Sequence, residues 1–141
     1  MMRELNPGAV EELFGSQVVG RIGCHAGGVT YVVPVIYALA DGCVYVASIE
    51  GQKIRMMREN PRVCFEVDEY DGAGNWRSAI AHGLYEELDE AGAEKALALL
   101  AARFGGGGDE GRGRRAREAG GPPTVCFRIR IAEVTGRAVA R

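Results

Sequence analysis

Three runs of β-branched and aromatic residues, 18–24, 30–39 and 43–48, follow one another with only short glycine-containing gaps at Ala26-Gly27-Gly28 and Asp41-Gly42. Gaps this short leave no room for a crossover helix, so consecutive runs must pair antiparallel. Asp41-Gly42 suits a two-residue hairpin, whose central positions both favour positive φ. The alternation returns at 63–68, where Val63, Phe65 and Val67 share one face and Cys64, Glu66 and Asp68 the other. It returns again where Val125, Phe127, Ile129 and Ile131 alternate with Cys126, Arg128 and Arg130. Residues 76–88 add a further strand, with a bend at Gly83.

Helical signals lie between these strands. Asn6 offers a cap, Pro7 a first helical position and Gly15 a stop. Residues 50–59 are rich in Lys, Arg, Met and Glu and end at Asn60-Pro61. Asp89 caps a third segment in which Ala93, Ala96, Leu97, Leu100 and Phe104 recur at helical spacing, before four glycines at 105–108. Residues 105–121 mix Gly, Arg and acidic side chains and read as a flexible loop, closed by Pro122-Pro123. The expectation is one domain over 1–141, mainly β: six antiparallel strands in a closed or nearly closed barrel, with about three short flanking helices. Closure would also remove exposed strand edges.

Composition narrows the function classes. A formal net charge of -2 argues against a nucleic-acid partner, which takes a surplus of Lys and Arg on one surface. The cluster Arg112, Arg114, Arg115 and Arg117 is interleaved with Asp109, Glu110 and Glu118, and reads as solvated loop. No apolar stretch approaches the roughly 20 residues of a membrane helix. The N-terminal residues lack the apolar run of a secretory signal, which points to a cytoplasmic protein without a membrane partner. Cys24, Cys43, Cys64 and Cys126 are widely spaced within or beside apolar segments and read as buried free thiols. His25 and His82 have no partner at metal-ligand or nucleophile-activating spacing, so neither is assigned to catalysis or metal binding.

Three segments could carry chemistry. In the first, Ser48-Ile49-Glu50-Gly51-Gln52-Lys53 takes a strand straight into a helix with Lys53 in its first turn. Free N–H groups at a helix start, with a lysine beside them, favour an anion such as phosphate. In the second, Pro34 interrupts the apolar run Val32-Val33-Pro34-Val35-Ile36-Tyr37 and cannot donate to a ladder, which places that strand at an edge or opening. The third is Asn75-Trp76-Arg77-Ser78, which follows a glycine-containing loop and sets the only tryptophan beside a guanidinium and a hydroxyl. Trp76 equally fits a core or an interface.

Taken in order, these segments resemble the pyridoxamine 5'-phosphate oxidase-like family of FMN-binding split β-barrels, in its short branch that includes nitroimidazole-resistance proteins. The likeness rests on Gly20-Arg21-Ile22-Gly23, Tyr31-Val32-Val33-Pro34-Val35-Ile36-Tyr37, Gly51-Gln52-Lys53, Asn60-Pro61-Arg62-Val63-Cys64-Phe65-Glu66-Val67 and Trp76-Arg77-Ser78. It implies a homodimer with FMN at the subunit interface. By that resemblance Pro34, Val35, Ile36 and Tyr37 line the isoalloxazine, largely through backbone groups. Ser48, Gln52 and Lys53 hold the ribityl phosphate, and Trp76, Arg77 and Ser78 complete the site. Ala47 stands where the branch often has His, and Gln52 where it usually has a basic residue. The chain ends at Arg141 without the extension that clamps pyridoxal phosphate in the vitamin B6 oxidase, so that activity is not expected. The implied function is an FMN-dependent oxidoreductase for a small substrate. The same fold would also serve a non-catalytic flavin-binding or sensing protein, a structural dimer, or a deazaflavin or haem protein; for haem, His25 and His82 are the available imidazoles.

Overall fold

A computed structural model describes residues 1–105 and 124–140. Element order is β1 (Met2–Glu4), α1 (Pro7–Ser16), β2 (Val19–Ala26), β3 (Val29–Ile36), β4 (Ala38–Ala40), β5 (Cys43–Ile49), α2 (Gln52–Glu59), β6 (Arg62–Tyr70), β7 (Trp76–Glu87), α3 (Glu90–Phe104) and β8 (Thr124–Val139). The expected antiparallel, mainly β architecture with three helices is present, but the six-strand count needs correction. Eight strands occur among the described residues. The run 30–39 is broken at Tyr37 into β3 and β4, and Met2–Glu4 adds a short strand along the end of β8. Of the expected loop 105–121, Gly105 caps α3 with φ 84°, and the remainder lies outside the described residues.

The sheet runs β3-β2-β6-β7-β8-β5-β4, every pairing antiparallel, and it does not close. β3 and β4 are its two ends, so Pro34 does sit on an edge strand. The Asp41-Gly42 turn takes positive φ at both residues, 53° and 72°, as the hairpin requires. At the predicted bend, the β7–β8 register shifts between His82 and Gly83. A Cβ on Gly83 would stand 2.4 Å from the Arg130 carbonyl oxygen, so only glycine lets the two strands approach so closely.

Two apolar layers hold the fold. Inside the curved sheet, Ile22, Val44, Val46, Phe65, Val67, Phe127 and Ile129 pack together, with Val10, Leu13 and Phe14 of α1 closing one end and Ile54 and Met57 of α2 covering another part. Outside it, Ala96 and Leu100 of α3 cover Cys43, Tyr45, Ala47 and Cys126. β5 is therefore buried on both faces, which explains its unbroken apolar run. Cys24, Cys43 and Cys126 are buried, as expected, and Cys64 is half-buried; none of the four forms a disulfide among the described residues.

Replacing Gly83 with Ala is expected to force the β7–β8 backbones apart and destabilise the fold by about 1–3 kcal/mol. The check is a lowered urea midpoint at unchanged m-value.

Candidate functional site

Helix capping separates α2 from its neighbours. In α1 the Asn6 side chain accepts the Ala9 N–H at 2.9 Å, and in α3 Asp89 accepts the Gly92 N–H at 2.8 Å. At α2 the capping residue is Gly51, which has no side chain to cap with, and among the described residues no side chain accepts from the first turn. The free N–H groups there carry the positive end of the helix dipole. Beside them, Lys53 is half-buried, and among the described residues it has no ion pair. Burial pulls its ammonium below the usual lysine range, and the neighbouring Cys24 thiol opposes that shift. Burial in turn pushes the Cys24 thiol up, Cys64 adds to the rise, and Lys53 works against it.

A further polar group is buried where β8 begins. Thr124 starts β8 directly opposite Ile49, one step from Ser48, and its buried Oγ1 has no hydrogen-bond partner among the described residues. A buried hydroxyl without a partner is costly unless something completes its hydrogen bond. The register puts Thr124 with Ile49, Ala47 and Cys126 on the face toward α3, whereas Ser48 shares the inner face with Val125. Ser48 donates to the Ile49 carbonyl at 3.2 Å, and Gln52 Nε2 reaches the Met56 sulfur at 3.8 Å on an exposed surface.

α2 packs on β2, and β2 pairs with β3, Cys24 lying opposite Tyr31. The basic corner and the β3 edge are thus neighbours. Pro34 is exposed, and Val35 and Ile36 are half-buried. Tyr37 is fully buried; its hydroxyl donates to the Phe14 carbonyl and its ring meets Phe65 edge-on at 4.8 Å. Burial raises the pKa of that phenol, while the adjacent Arg103 lowers it. Arg103 stacks on the same ring at 4.6 Å and donates to the carbonyls of Tyr37, Gly15 and Gln17. Only the backbone and position of Tyr37 are free to shape a ligand surface, because its side chain is built into the core.

Trp76, Arg77 and Ser78 lie elsewhere. Trp76 pairs with Tyr70 at the far end of β6, whereas Gly23, next to Cys24, pairs with Cys64. At ~3.3 Å per residue this separates the tryptophan from the Lys53 corner by about 20 Å. Arg77 is already held by Glu69 at 2.9 Å and Glu12 at 3.5 Å, and Trp76 lines a cleft of ~160 Å³ with Arg3 and Asn75. His25 and His82 are exposed and border a shallow ~690 Å³ groove on the outer sheet face. No group of side chains able to hold a metal occurs among the described residues. Nor is any described helix long and apolar enough to cross a membrane.

The sheet order, the gap at Tyr37 and the bare α2 start can be set beside known proteins. The family model described as pyridoxamine 5'-phosphate oxidase matches residues 6–138. The chain belongs to the pyridoxamine 5'-phosphate oxidase family. Within this family's fold, a FAD-binding protein from Mesorhizobium loti is 32% identical, with a TM-score of 0.78 over 100% of this chain and 98% of that one. The FAD-binding protein of Mycobacterium smegmatis shares the fold at 19% identity, with a TM-score of 0.67 over 99% of this chain and 100% of that one. An uncharacterized protein of Rhizobium meliloti (strain 1021) is 36% identical over 70 residues, a match covering 50% of this chain and 46% of that protein's length.

The chain has two lysines, and their surroundings push them in opposite directions: burial lowers Lys53, while Asp41, 2.6 Å from its ammonium, raises Lys95. After reductive ¹³C-methylation, the NMR signals of the two lysines should titrate separately, with Lys53 deprotonating at the lower pH. Coincident titration would contradict this description of the corner.

Proposed function

We propose that this chain binds FMN and acts as a flavin-dependent oxidoreductase on a small substrate, as a homodimer with the cofactor at the subunit boundary. The observation that carries the reading is the α2 start. Backbone donors that no described side chain claims and a half-buried ammonium without an ion pair among the described residues meet where one chain segment turns from strand to helix. A phosphate supplies the acceptor oxygens these donors lack.

Lys53, Ser48 and the first N–H groups of α2 would hold the phosphate, with Gln52 at its exposed side. The unpaired edge of β3 would present backbone donors and acceptors from Pro34, Val35 and Ile36 to the ring, and Tyr37 would fix where that edge ends. A bound flavin supplies hydride or single-electron transfer, and the protein contributes position, electrostatics and shielding from water. No acid–base side chain is assigned at the site. The relative from Mesorhizobium loti is a FAD-binding protein, which favours a flavin.

Distance supports the homodimer. Along β6, Trp76 lies about 20 Å and Ser78 about 13 Å from the level of Gly23 and Cys64, so a second chain is what would bring these residues to a site at Lys53. A two-fold dimer would build two identical sites in this way.

Titration of the purified chain with FMN, FAD and riboflavin, followed by flavin fluorescence, tests the proposal. FMN should bind more tightly than riboflavin, and Lys53→Ala should weaken FMN binding by about 10- to 100-fold, as expected for one charge-assisted contact. Absence of any flavin binding would remove the proposal, and unchanged affinity in the variant would remove Lys53 from the site.

A further inference from the structure

Glu50 immediately precedes the capping Gly51, so its carboxylate is the anion nearest in sequence to the first-turn N–H groups of α2. Negative charge is stabilised at a helix start, and a side-chain oxygen that accepts from the first turn is the usual way such groups are satisfied. α1 and α3 do this with Asn6 and Asp89. Glu50 instead turns aside and meets Arg58, in the last turn of the same helix, at 3.1 Å.

Arg58 is itself fixed. Its Nε and one terminal nitrogen donate to the two carboxylate oxygens of Glu87 at 2.8 and 3.1 Å, a forked pair with little freedom to rotate. The Tyr85 hydroxyl donates to the same carboxylate at 2.7 Å, and the Tyr85 ring is buried against Phe127. The Tyr85 N–H donates in turn to the Pro61 carbonyl at 2.8 Å, which ties the end of β7 to the segment leaving α2. Arg58 holds Glu87 below the usual carboxylate range, and Glu87 and Glu50 together raise Arg58. Glu86, the neighbouring carboxylate on β7, is taken by Arg128 and Arg130. Glu50 thus touches one cation among the described residues, and that cation is anchored on the sheet. Exposed ion pairs add little to stability, so the consequence of this one lies in where it puts Glu50.

We propose that Arg58 is a positioning residue for the phosphate corner: by holding Glu50 aside it keeps the chain's own carboxylate from capping α2 and competing with a phosphate. This rests on the phosphate reading of the α2 start given above. Gly51 serves the same end. Its backbone is extended, with φ -165°, and a Cβ there would meet nothing nearer than 3.9 Å, so a capping Ser or Asp would fit. Glycine leaves the N–H groups open. Released from Arg58, Glu50 brings a like charge up to the phosphate, and the loss falls on phosphate-bearing ligands alone.

The test titrates wild type, Glu50→Gln, Arg58→Gln and the double variant with FMN and with riboflavin, and records ¹H–¹⁵N spectra of the flavin-free chains against pH. Arg58→Gln should bind FMN about tenfold more weakly and riboflavin as wild type does. Glu50→Gln should bind FMN like wild type, and the double variant should return to within about twofold of it. In flavin-free Arg58→Gln, the amides of Lys53 and Ile54 should follow a carboxyl titration over roughly pH 3–6 that is missing from wild type and from the double variant. A double variant as weak as Arg58→Gln would overturn the proposal, because Arg58 would then act on the phosphate directly. Equal losses for FMN and riboflavin would overturn it in favour of a purely structural role, and amides that titrate alike in all four chains would overturn it without reference to any flavin. Gly51→Asp separates this from the underlying reading: it should stabilise the fold as a cap and weaken FMN binding. An FMN affinity indifferent to that carboxylate would overturn the phosphate reading of the α2 start, and this inference with it.

Discussion

The architecture depends on how one guanidinium is used at the point where the sheet parts. Tyr37 stands between β3 and β4, the two ends of an otherwise continuous ladder. Arg103, from the last turn of α3, donates to its carbonyl and stacks on its ring, and reaches the final carbonyls of α1 through Gly15 and Gln17. The Tyr37 hydroxyl ties back to Phe14 in the same helix. Three elements that are distant in sequence are thereby pinned at one spot, and a cation satisfies carbonyls that a helix end would otherwise leave to water. The cleft along β3 is fixed by this knot, so it is part of the folded architecture and not a gap left by poor packing.

Much of the fold is written in local patterns. The Asp41-Gly42 turn, the bend at Gly83 and the caps Asn6 and Asp89 act over a few residues, and each is legible from residue type alone. The break at Tyr37 is not, because nothing in Ile36-Tyr37-Ala38 interrupts the apolar run. What breaks the strand is the distant Arg103 claiming the backbone, together with a ring that packs inward on Phe65. The strand Met2–Glu4 was equally hidden: its residues are all exposed, and only the far end of β8 gives them a partner.

The candidate site divides in the same way. Lys53 and its helix start could be read from a strand running into a short basic helix. The clamp on Glu50 was half visible: Glu50 and Arg58 both lie in the segment read as a basic helix, but Glu87, which anchors the arginine, comes from a distant strand. Conversely, the side chain of Tyr37, grouped by sequence with a ligand-lining stretch, proves to be an internal strut.

An open barrel keeps two unpaired strand margins, and each carries its own protection against runaway polymerisation. On β3, Pro34 removes a donor from the middle of the margin, so an incoming strand meets an incomplete row of partners. On β4 the margin is only three residues long, too short to template a ladder. The chain can therefore leave its sheet ajar for a ligand without offering a template on which copies could add strand to strand as fibrils.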